Sequence, residues 1–159
     1  MNFRIGFGYD VHRLEEGIPF WLGGIRIEHA KGSLGHSDAD VLLHAICDAM
    51  LGAAALGDIG THFPDTDPAY RGISSSVLLQ RCGELLTSRG YEIGNIDSTV
   101  CLQTPKIKDH IPAMRKAIAG HLRLSEDQVS VKASTEEKLG FTGREEGISA
   151  YAVVLIRQR

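Results

Sequence analysis

What the sequence lacks excludes several structural and functional classes. Its 159 residues include three cysteines, Cys47, Cys82 and Cys101, an odd number at wide intervals that fits neither a disulfide framework nor a C-x-x-C pair. The formal net charge of -3 provides no overall positive field for nucleic acid or an anionic membrane. No apolar run approaches the ~20 residues that span a bilayer. We therefore expect buried thiols and no nucleic-acid or membrane partner, in a cytoplasmic protein or, after removal of a transit peptide, a plastid-stromal one.

Nothing in the chain marks a boundary between domains. It contains no repeat of fixed period, no low-complexity segment and no long linker. The contents of 43% hydrophobic and 23% charged residues are ordinary for a soluble fold, and the length is sufficient for a substantial core. The sequence predicts that residues 1–159 form a single domain.

A helix in the first third of the chain has an unusual density of groups that bind metals or phosphate. Ser37 is a favourable N-cap, which predicts that the helix begins near Asp38. Asp40, His44 and Asp48 follow at four-residue spacing and would share one face, while the other positions are mostly apolar. This pattern predicts a partly buried imidazole between carboxylates.

Two further metal-binding side chains lie in the N-terminal segment. Asp10 and His12 are two residues apart and point the same way from an extended strand. With His44 they offer one carboxylate and two imidazoles, a set that holds zinc and leaves a fourth position open. The alternative for His44 is a core histidine bonded to a neighbouring acid, which is the commoner role of a single histidine on an apolar helix.

Two segments around the helix have features of a phosphate site. His36 and Ser37 precede it, where free N–H groups and the helix dipole favour an anion; the alternatives are a solvated loop histidine and a simple cap. Residues 58–68 form a long segment rich in Asp, Gly and Pro, which is typical of functional loops. A solvated acidic loop is the alternative there, although Phe63 beside Pro64 favours a segment that covers something.

Two predicted strands, residues 96–102 and 129–134, lead into segments suited to a ligand. The loop 104–108 after the first could hold a nucleobase through its backbone, and a plain connection to the next helix is the alternative. The second ends in the hydroxyls and carboxylates of residues 134–137.

The remaining patterns predict an α+β two-layer sandwich, with a mixed sheet of four or five main strands covered by three helices. Residues 20–22 and 25–27 flank Gly23-Gly24 as an N-terminal hairpin would. The second and third helices are predicted over 74–89 and 111–124. The nearly continuous apolar strand 148–156 predicts burial on both faces and hence subunit packing.

These segments together resemble one family over nearly the whole chain, the 2-C-methyl-D-erythritol 2,4-cyclodiphosphate synthases of the non-mevalonate isoprenoid pathway. The resemblance rests on G-Y-D-V-H at 8–12, H-S-D-A-D at 36–40, L-L-H-A at 42–45, G-A-A-A-L-G-D-I-G at 52–60, F-P-D-T-D at 63–67 and E-K-L-G-F-T-G-R-E-E-G-I at 137–148. It implies conversion of 4-diphosphocytidyl-2-C-methyl-D-erythritol 2-phosphate to the 2,4-cyclodiphosphate with release of CMP, by metal-assisted intramolecular phosphoryl transfer.

The resemblance also implies ligands and an assembly. Zinc would be held by Asp10, His12 and His44, and magnesium or manganese by Glu137. The assembly would be a homotrimer with each site shared between adjacent subunits, and an axial cavity could take an isoprenoid diphosphate.

By the same resemblance, His36 and Thr135 would stabilise the transition state, and a larger set would border the substrate. The methylerythritol phosphate side of the set is Asp10, Val11, His12, His36, Ser37, Asp58, Ile59, Gly60, Phe63, Pro64, Asp65, Thr66 and Asp67. The cytidine diphosphate side is Leu102, Gln103, Thr104, Pro105, Lys106, Ile107, Lys108, Ala133, Ser134, Thr135, Glu136 and Glu137, and the axial cavity has Phe141 and Arg144.

Two other functions remain open from the residues alone. An open three-ligand zinc site can activate water, which would make the protein a zinc phosphohydrolase. The chain could instead be an isoprenoid-diphosphate-binding trimer that acts through Phe141 and Arg144. Analysis of the reaction products would distinguish a zinc phosphohydrolase from a cyclodiphosphate synthase. Loss of function confined to Arg144 variants would indicate the binding trimer.

Overall fold

The computed structural model describes residues 2–159, which form seven strands and five helices. The strands are β1 (Phe3–Glu16), β2 (Phe20–Leu22), β3 (Ile25–Ile27), β4 (Lys31–Ser33), β5 (Tyr91–Cys101), β6 (Val129–Ser134) and β7 (Gly147–Gln158). The helices are α1 (Val41–Ala53), α2 (Ile59–His62), α3 (Ser75–Ser88), α4 (Ile111–Leu122) and α5 (Gly140–Gly143). The predicted α+β class is confirmed; α2 and α5 are one-turn helices that the sequence patterns do not indicate.

The main sheet has five strands in the order β4-β1-β7-β5-β6. Every neighbouring pair is antiparallel except β5 and β6, which are parallel. Ala150 of β7 pairs with Asp10 on one side and Val100 on the other, so the metal-binding segment of β1 and the end of β5 are separated by one strand. The hairpin β2-β3 is also confirmed, and its turn residues Gly23 and Gly24 have φ values of 63° and 80°.

Helix α1 packs on β1 with almost no space between the two backbones. A Cβ built at Gly6 would lie 1.8 Å from the carbonyl oxygen of Ala49, and one at Gly8 would lie 1.9 Å from that of Ala45. Only glycine permits this approach. Residues 6, 8, 10 and 12 alternate onto the same face of β1, so α1 brings His44 close to Asp10 and His12.

The start of α1 differs from the prediction. The helix begins at Val41 rather than near Asp38, and its N-cap is Asp40 rather than Ser37. Ser37 instead accepts a hydrogen bond from the N–H of Ala39, whose φ of 55° turns the chain before the helix can begin. Asp40 therefore does not share a ligand face with His44.

Asp40 joins α1 to the hairpin. Its carboxylate accepts hydrogen bonds from Leu43 N at 3.1 Å, Gly23 N at 2.9 Å and Gly24 N at 2.7 Å. Burial raises the pKa of this carboxyl, and the three N–H donors act in the opposite direction. Because the side chain is fully buried, those donors are what make its position tolerable.

The two faces of the sheet differ in burial. The face toward the helices belongs to one core cluster that includes Ile148, Ala150, Ala152 and Val154. The opposite face carries apolar side chains that are exposed in this chain, namely Phe3, Ile5, Phe7, Tyr9, Val11, Tyr151 and Val153. Burial of β7 on both faces is therefore wrong for the single chain, because its alternate side chains have no covering layer among the described residues.

Two expectations from composition can be compared with the structure directly. The three cysteines are free and buried, as predicted. Within residues 2–159, no helix combines the length and apolarity that a membrane crossing requires.

Candidate metal centre

The centre is formed where β1 and α1 meet. Asp10 Oδ2 lies 3.0 Å from His12 Nε2 and 3.0 Å from His44 Nδ1. The two imidazole nitrogens are 3.2 Å apart. The structure thus brings together the three side chains that the sequence predicted as ligands, and they form the one group of metal-binding type among the described residues.

The outer nitrogens of both imidazoles are held by the protein. His12 Nδ1 lies 3.0 Å from the carbonyl oxygen of Leu34, which can only accept, so this nitrogen carries a proton and Nε2 is the nitrogen that faces the centre. His44 Nε2 lies 2.8 Å from Ser75 Oγ and 3.2 Å from Ser37 Oγ. Such contacts fix the rings in the orientation that a metal requires.

The electrostatics of the group favour a cation. Burial alone raises the pKa of Asp10, but hydrogen bonds with His12 and His44 outweigh it and hold the pKa well below its usual range. Burial lowers the pKa of His12, and the bond to the Asp10 carboxylate more than reverses this, so the pKa is raised. The side chains of Asp10, His12 and His44 are only 26%, 17% and 13% exposed. A carboxylate and two imidazoles packed this closely and this far from water are stabilised by a positive charge between them, carried by protons on the imidazoles or by a bound metal ion.

A cavity of ≈ 590 Å³ opens beside the centre. It is lined by eight of the predicted site residues: His12, His36, Ser37, His44, Ile59, Gly60, Phe63 and Asp65. It is also lined by Leu34, Gly35, Tyr70, Ile73 and Leu78, which the sequence analysis did not single out. Gly35 is required there because a Cβ would lie 3.1 Å from the His12 ring and 2.9 Å from Ala39.

The segment after α1 is held against this cavity by hydrogen bonds. Asp48 Oδ1 accepts from Ile59 N at 2.8 Å, and Asp58 caps α2 by accepting from Thr61 N at 2.9 Å. The bonds from Thr61 lower the pKa of Asp58, which is fully exposed. The segment is therefore ordered rather than wholly irregular.

An aromatic pair continues that segment. Phe63 is 9% exposed and meets the ring of Tyr70 edge-on at 5.5 Å. Asp67 caps the following 3-10 turn by accepting from Ala69 N at 2.9 Å, and Pro64 and Thr66 are exposed on the loop. The covering role expected for Phe63 agrees with this packing.

The predicted nucleotide segments form a second cluster, at the carboxyl ends of the parallel strands β5 and β6. Leu102 N donates to Ser134 O at 3.0 Å, and Lys138 N donates to Gln103 Oε1 at 3.3 Å. Neither 102–108 nor 133–137 lines the cavity beside the metal centre in this chain. Leu102 and Ile107 are buried in the core, while Lys106 and Lys108 are exposed.

Five of the predicted residues are placed apart from the cavity, in the second cluster or on the protein surface. Thr135 Oγ1 donates to Glu137 Oε1 at 2.8 Å, and both belong to the second cluster. Arg144 pairs with Glu146 at 3.0 Å and 3.1 Å on the protein surface. Val11 lies on the sheet face opposite Asp10 and His12, and Phe141 is 39% exposed.

Asp38 and Ser75 are polar residues at the centre that sequence reasoning missed. Ser75 begins α3, a helix in which the sequence predicted no site residue, yet its hydroxyl bonds to His44 and to the Asp38 carboxylate. The S-S-S run at 74–76 shows a helix start but does not show which hydroxyl turns inward.

Comparisons with known proteins give a consistent picture. The model of the YgbB family matches residues 3–157. The 2-C-methyl-D-erythritol 2,4-cyclodiphosphate synthase of Porphyromonas gingivalis is 63% identical over 97% of this chain and 95% of its own length. The bifunctional IspDF of Campylobacter jejuni superposes with a TM-score of 0.95 at 43% identity, covering 99% of this chain and 42% of that protein. The IspF of Plasmodium falciparum in its CDP complex superposes with a TM-score of 0.87 at 37% identity, covering 99% and 97% of the two chains.

Proposed function

The chain belongs to the YgbB family, and from this we infer that it catalyses the cyclodiphosphate synthase reaction of the non-mevalonate isoprenoid pathway. The substrate is 4-diphosphocytidyl-2-C-methyl-D-erythritol 2-phosphate, and the products are the 2,4-cyclodiphosphate and CMP. Near-full-length identity of 63% to an enzyme named for this activity supports the inference. A relative in complex with CDP supports a cytidine nucleotide as part of the substrate.

The observation that carries the mechanism is the cluster of Asp10, His12 and His44. Zinc with bonds of about 2.0–2.1 Å to nitrogen places tetrahedral ligand atoms about 3.3–3.4 Å apart. The three ligand atoms here are separated by 3.0, 3.0 and 3.2 Å, so a small outward shift accommodates the ion. One carboxylate and two imidazoles leave a fourth position free, and a zinc ion there would polarise a phosphate oxygen of the substrate.

The chemistry places few demands on acid–base groups. An oxygen of the 2-phosphate attacks the β-phosphorus, a new P–O bond forms, and the bond from the β-phosphorus to the oxygen shared with the α-phosphate breaks as CMP leaves. Because the nucleophile is already anionic, no strong base is required. The task of the protein is to hold two repelling phosphates together at a fixed geometry.

Residues around the cavity can perform this positioning. His36 and Ser37 line it, and Asp48 holds the backbone of Ile59, which lines it as well. We assign His36 of this cavity and Thr135 of the second cluster to transition-state oxygens, since donors aimed at developing charge are the largest contribution in such sites. The remaining predicted residues of 58–67 would border the methylerythritol phosphate.

The cytidine side of the substrate requires a second subunit. The cluster of 102–108 and 133–137 does not line this cavity within one chain, while the opposite sheet face exposes apolar side chains from β1 and β7. We propose a homotrimer in which the nucleotide cluster of one subunit completes the metal centre of the next. Glu137 would hold magnesium or manganese there, and Phe141 with Arg144 would face an axial cavity able to take an isoprenoid diphosphate.

Two further proposals concern the domain organisation of the chain and its location in the cell. We propose one domain over residues 1–159, because one apolar core cluster joins the sheet and the long helices. We place the enzyme in the cytoplasm, in line with the bacterial origin of the relative from Porphyromonas gingivalis.

Phosphorus NMR of the reaction products tests the function. The expected result is a cyclic diphosphate together with CMP. Open-chain phosphates would instead identify a zinc phosphohydrolase, because water and not the 2-phosphate would then be the nucleophile.

A further inference from the structure

The outer nitrogen of His44 ends a chain of hydrogen bonds that leads away from the metal centre. His44 Nε2 lies 2.8 Å from Ser75 Oγ, and Ser75 Oγ makes a short contact with Asp38 Oδ1. Ser75 N donates to the other oxygen of the same carboxylate, Asp38 Oδ2, at 3.0 Å. Asp38 thus accepts hydrogen bonds from both the backbone N–H and the hydroxyl of Ser75.

The direction of these bonds follows from counting protons. A carboxylate accepts only, so the single proton of the Ser75 hydroxyl is directed to Asp38. The oxygen of Ser75 then has only lone pairs to offer to His44. The neutral His44 ring must therefore carry its proton on Nε2 and donate it to Ser75, and Nδ1, 3.0 Å from Asp10 Oδ2, is then the nitrogen that a metal ion can bind.

The groups in this chain of hydrogen bonds have few competing partners. Ser75 is fully buried at the start of α3, so its hydroxyl has no water as an alternative partner. The N–H of Asp38 is itself bonded to Ile73 O at 3.2 Å, which ties the carboxylate to the segment just before α3. Ser37 Oγ, 3.2 Å from His44 Nε2, can reorient its proton and so cannot by itself select one tautomer.

We propose that Asp38 and Ser75 are positioning residues that lock His44 in its Nε2-protonated tautomer and so present Nδ1 to the metal ion. The inference rests on the zinc centre of the proposed function, which it deepens. Asp38 does not touch the metal ligands of β1; it acts on the ion through Ser75 and the imidazole. Partners of this kind raise the basicity of the ligand and fix its ring, and their removal weakens metal binding by about 10- to 100-fold.

Zinc affinity of the full-length protein tests the proposal, measured by competition with a chelator of known strength. We expect Ser75→Ala and Asp38→Asn each to weaken Zn²⁺ binding by about 10- to 100-fold. The double variant should bind Zn²⁺ within about twofold of Ser75→Ala, because Asp38 has no route to His44 once the hydroxyl is gone. Ser76→Ala, one residue along α3 and outside the chain of bonds, should retain wild-type affinity.

A second measurement reads the tautomer without any metal. In zinc-free protein labelled with ¹⁵N-histidine and held in alkaline buffer, proton–nitrogen correlations should show His44 protonated on Nε2 and His12 protonated on Nδ1. In Ser75→Ala the His44 signal should become a mixture of tautomers while His12 is unchanged. Far-ultraviolet circular dichroism of the same samples distinguishes this outcome from unfolding.

Wild-type zinc affinity in Ser75→Ala would overturn the proposal, and so would an Nδ1-protonated His44 in the unaltered chain. Failure of the wild-type protein to bind zinc would remove the zinc centre from the proposed function. In that case the NMR measurement would still decide whether Asp38 and Ser75 set the tautomer.

Discussion

Gly8 lies directly against the backbone of Ala45: a Cβ at Gly8 would be 1.9 Å from the Ala45 carbonyl oxygen. This approach is what brings α1 close enough to β1 for His44 Nδ1 to lie 3.0 Å from Asp10 Oδ2. The glycine in the G-Y-D segment thus determines the spacing of the metal centre, although it contributes no ligand.

Gly8→Ala should therefore separate α1 from β1. We expect a loss of about 3 kcal/mol or more in the free energy of unfolding, at the upper end for an overpacked core, because backbone atoms would have to move. Chemical denaturation measures the change. Gly52→Ala is the matched control on α1, since the nearest atom to its added Cβ outside the backbone of its own helix is 4.0 Å away. That substitution should stabilise the protein by about 0.5–1 kcal/mol, and an equal loss in both variants would contradict the packing argument.

The exposed face of the sheet predicts the consequence of adding charge. Phe7 is 62% exposed and lies among apolar side chains of β1 and β7. Phe7→Asp should convert the proposed trimer to monomer, because a carboxylate would be buried there without a partner. Light scattering measures the mass. Lys116→Asp, a charge change at an exposed position of α4, should leave the mass unaltered; an unaltered mass in Phe7→Asp would place the interface elsewhere.

The Asp97–Lys132 pair gives a pH dependence with a definite sign. Lys132 Nζ donates to Asp97 Oδ2 at 2.7 Å and lowers the pKa of that carboxyl. A carboxyl whose pKa is lower in the folded state stabilises the fold at pH values above its unfolded pKa of about 3.9. This stabilisation is lost as the pH falls through the folded pKa. Since both side chains are about half exposed, Asp97→Asn should cost at most about 1 kcal/mol at neutral pH.

The measurement for this pair is the difference in unfolding free energy between wild type and Asp97→Asn as a function of pH. The difference should shrink toward zero in acid. A difference that grew as the pH fell would show that the carboxyl is not stabilised by Lys132.

Much of the metal centre could be predicted from sequence because short-range periodicity decides it. Alternation along β1 places Asp10 and His12 on one face, and the apolar pattern of α1 turns His44 toward the same core. The resemblance then identified which polar groups belong together. The hairpin and the strand Val129–Ser134 follow equally from local patterns, and both are present.

The errors came from contacts between segments distant in sequence. Asp40 was expected beside His44, but its carboxylate accepts hydrogen bonds from the N–H groups of Gly23 and Gly24, which are seventeen and sixteen residues away. The role of Ser75 depends on Asp38, thirty-seven residues earlier, and no periodicity reports such a pair. Burial of β7 on both faces is not found within one chain, and the subunit packing that was predicted with it stays a prediction.

We propose that Asp10, His12 and His44 hold a metal ion on which CMP release depends. The most direct test measures bound zinc and the initial rate of CMP release together, in wild type, His44→Ala and the control His121→Ala, whose histidine bonds to Gln80 between α3 and α4. We expect one zinc per chain and full activity in wild type and His121→Ala, and loss of both in His44→Ala. Wild-type CMP release from zinc-free His44→Ala would contradict the account.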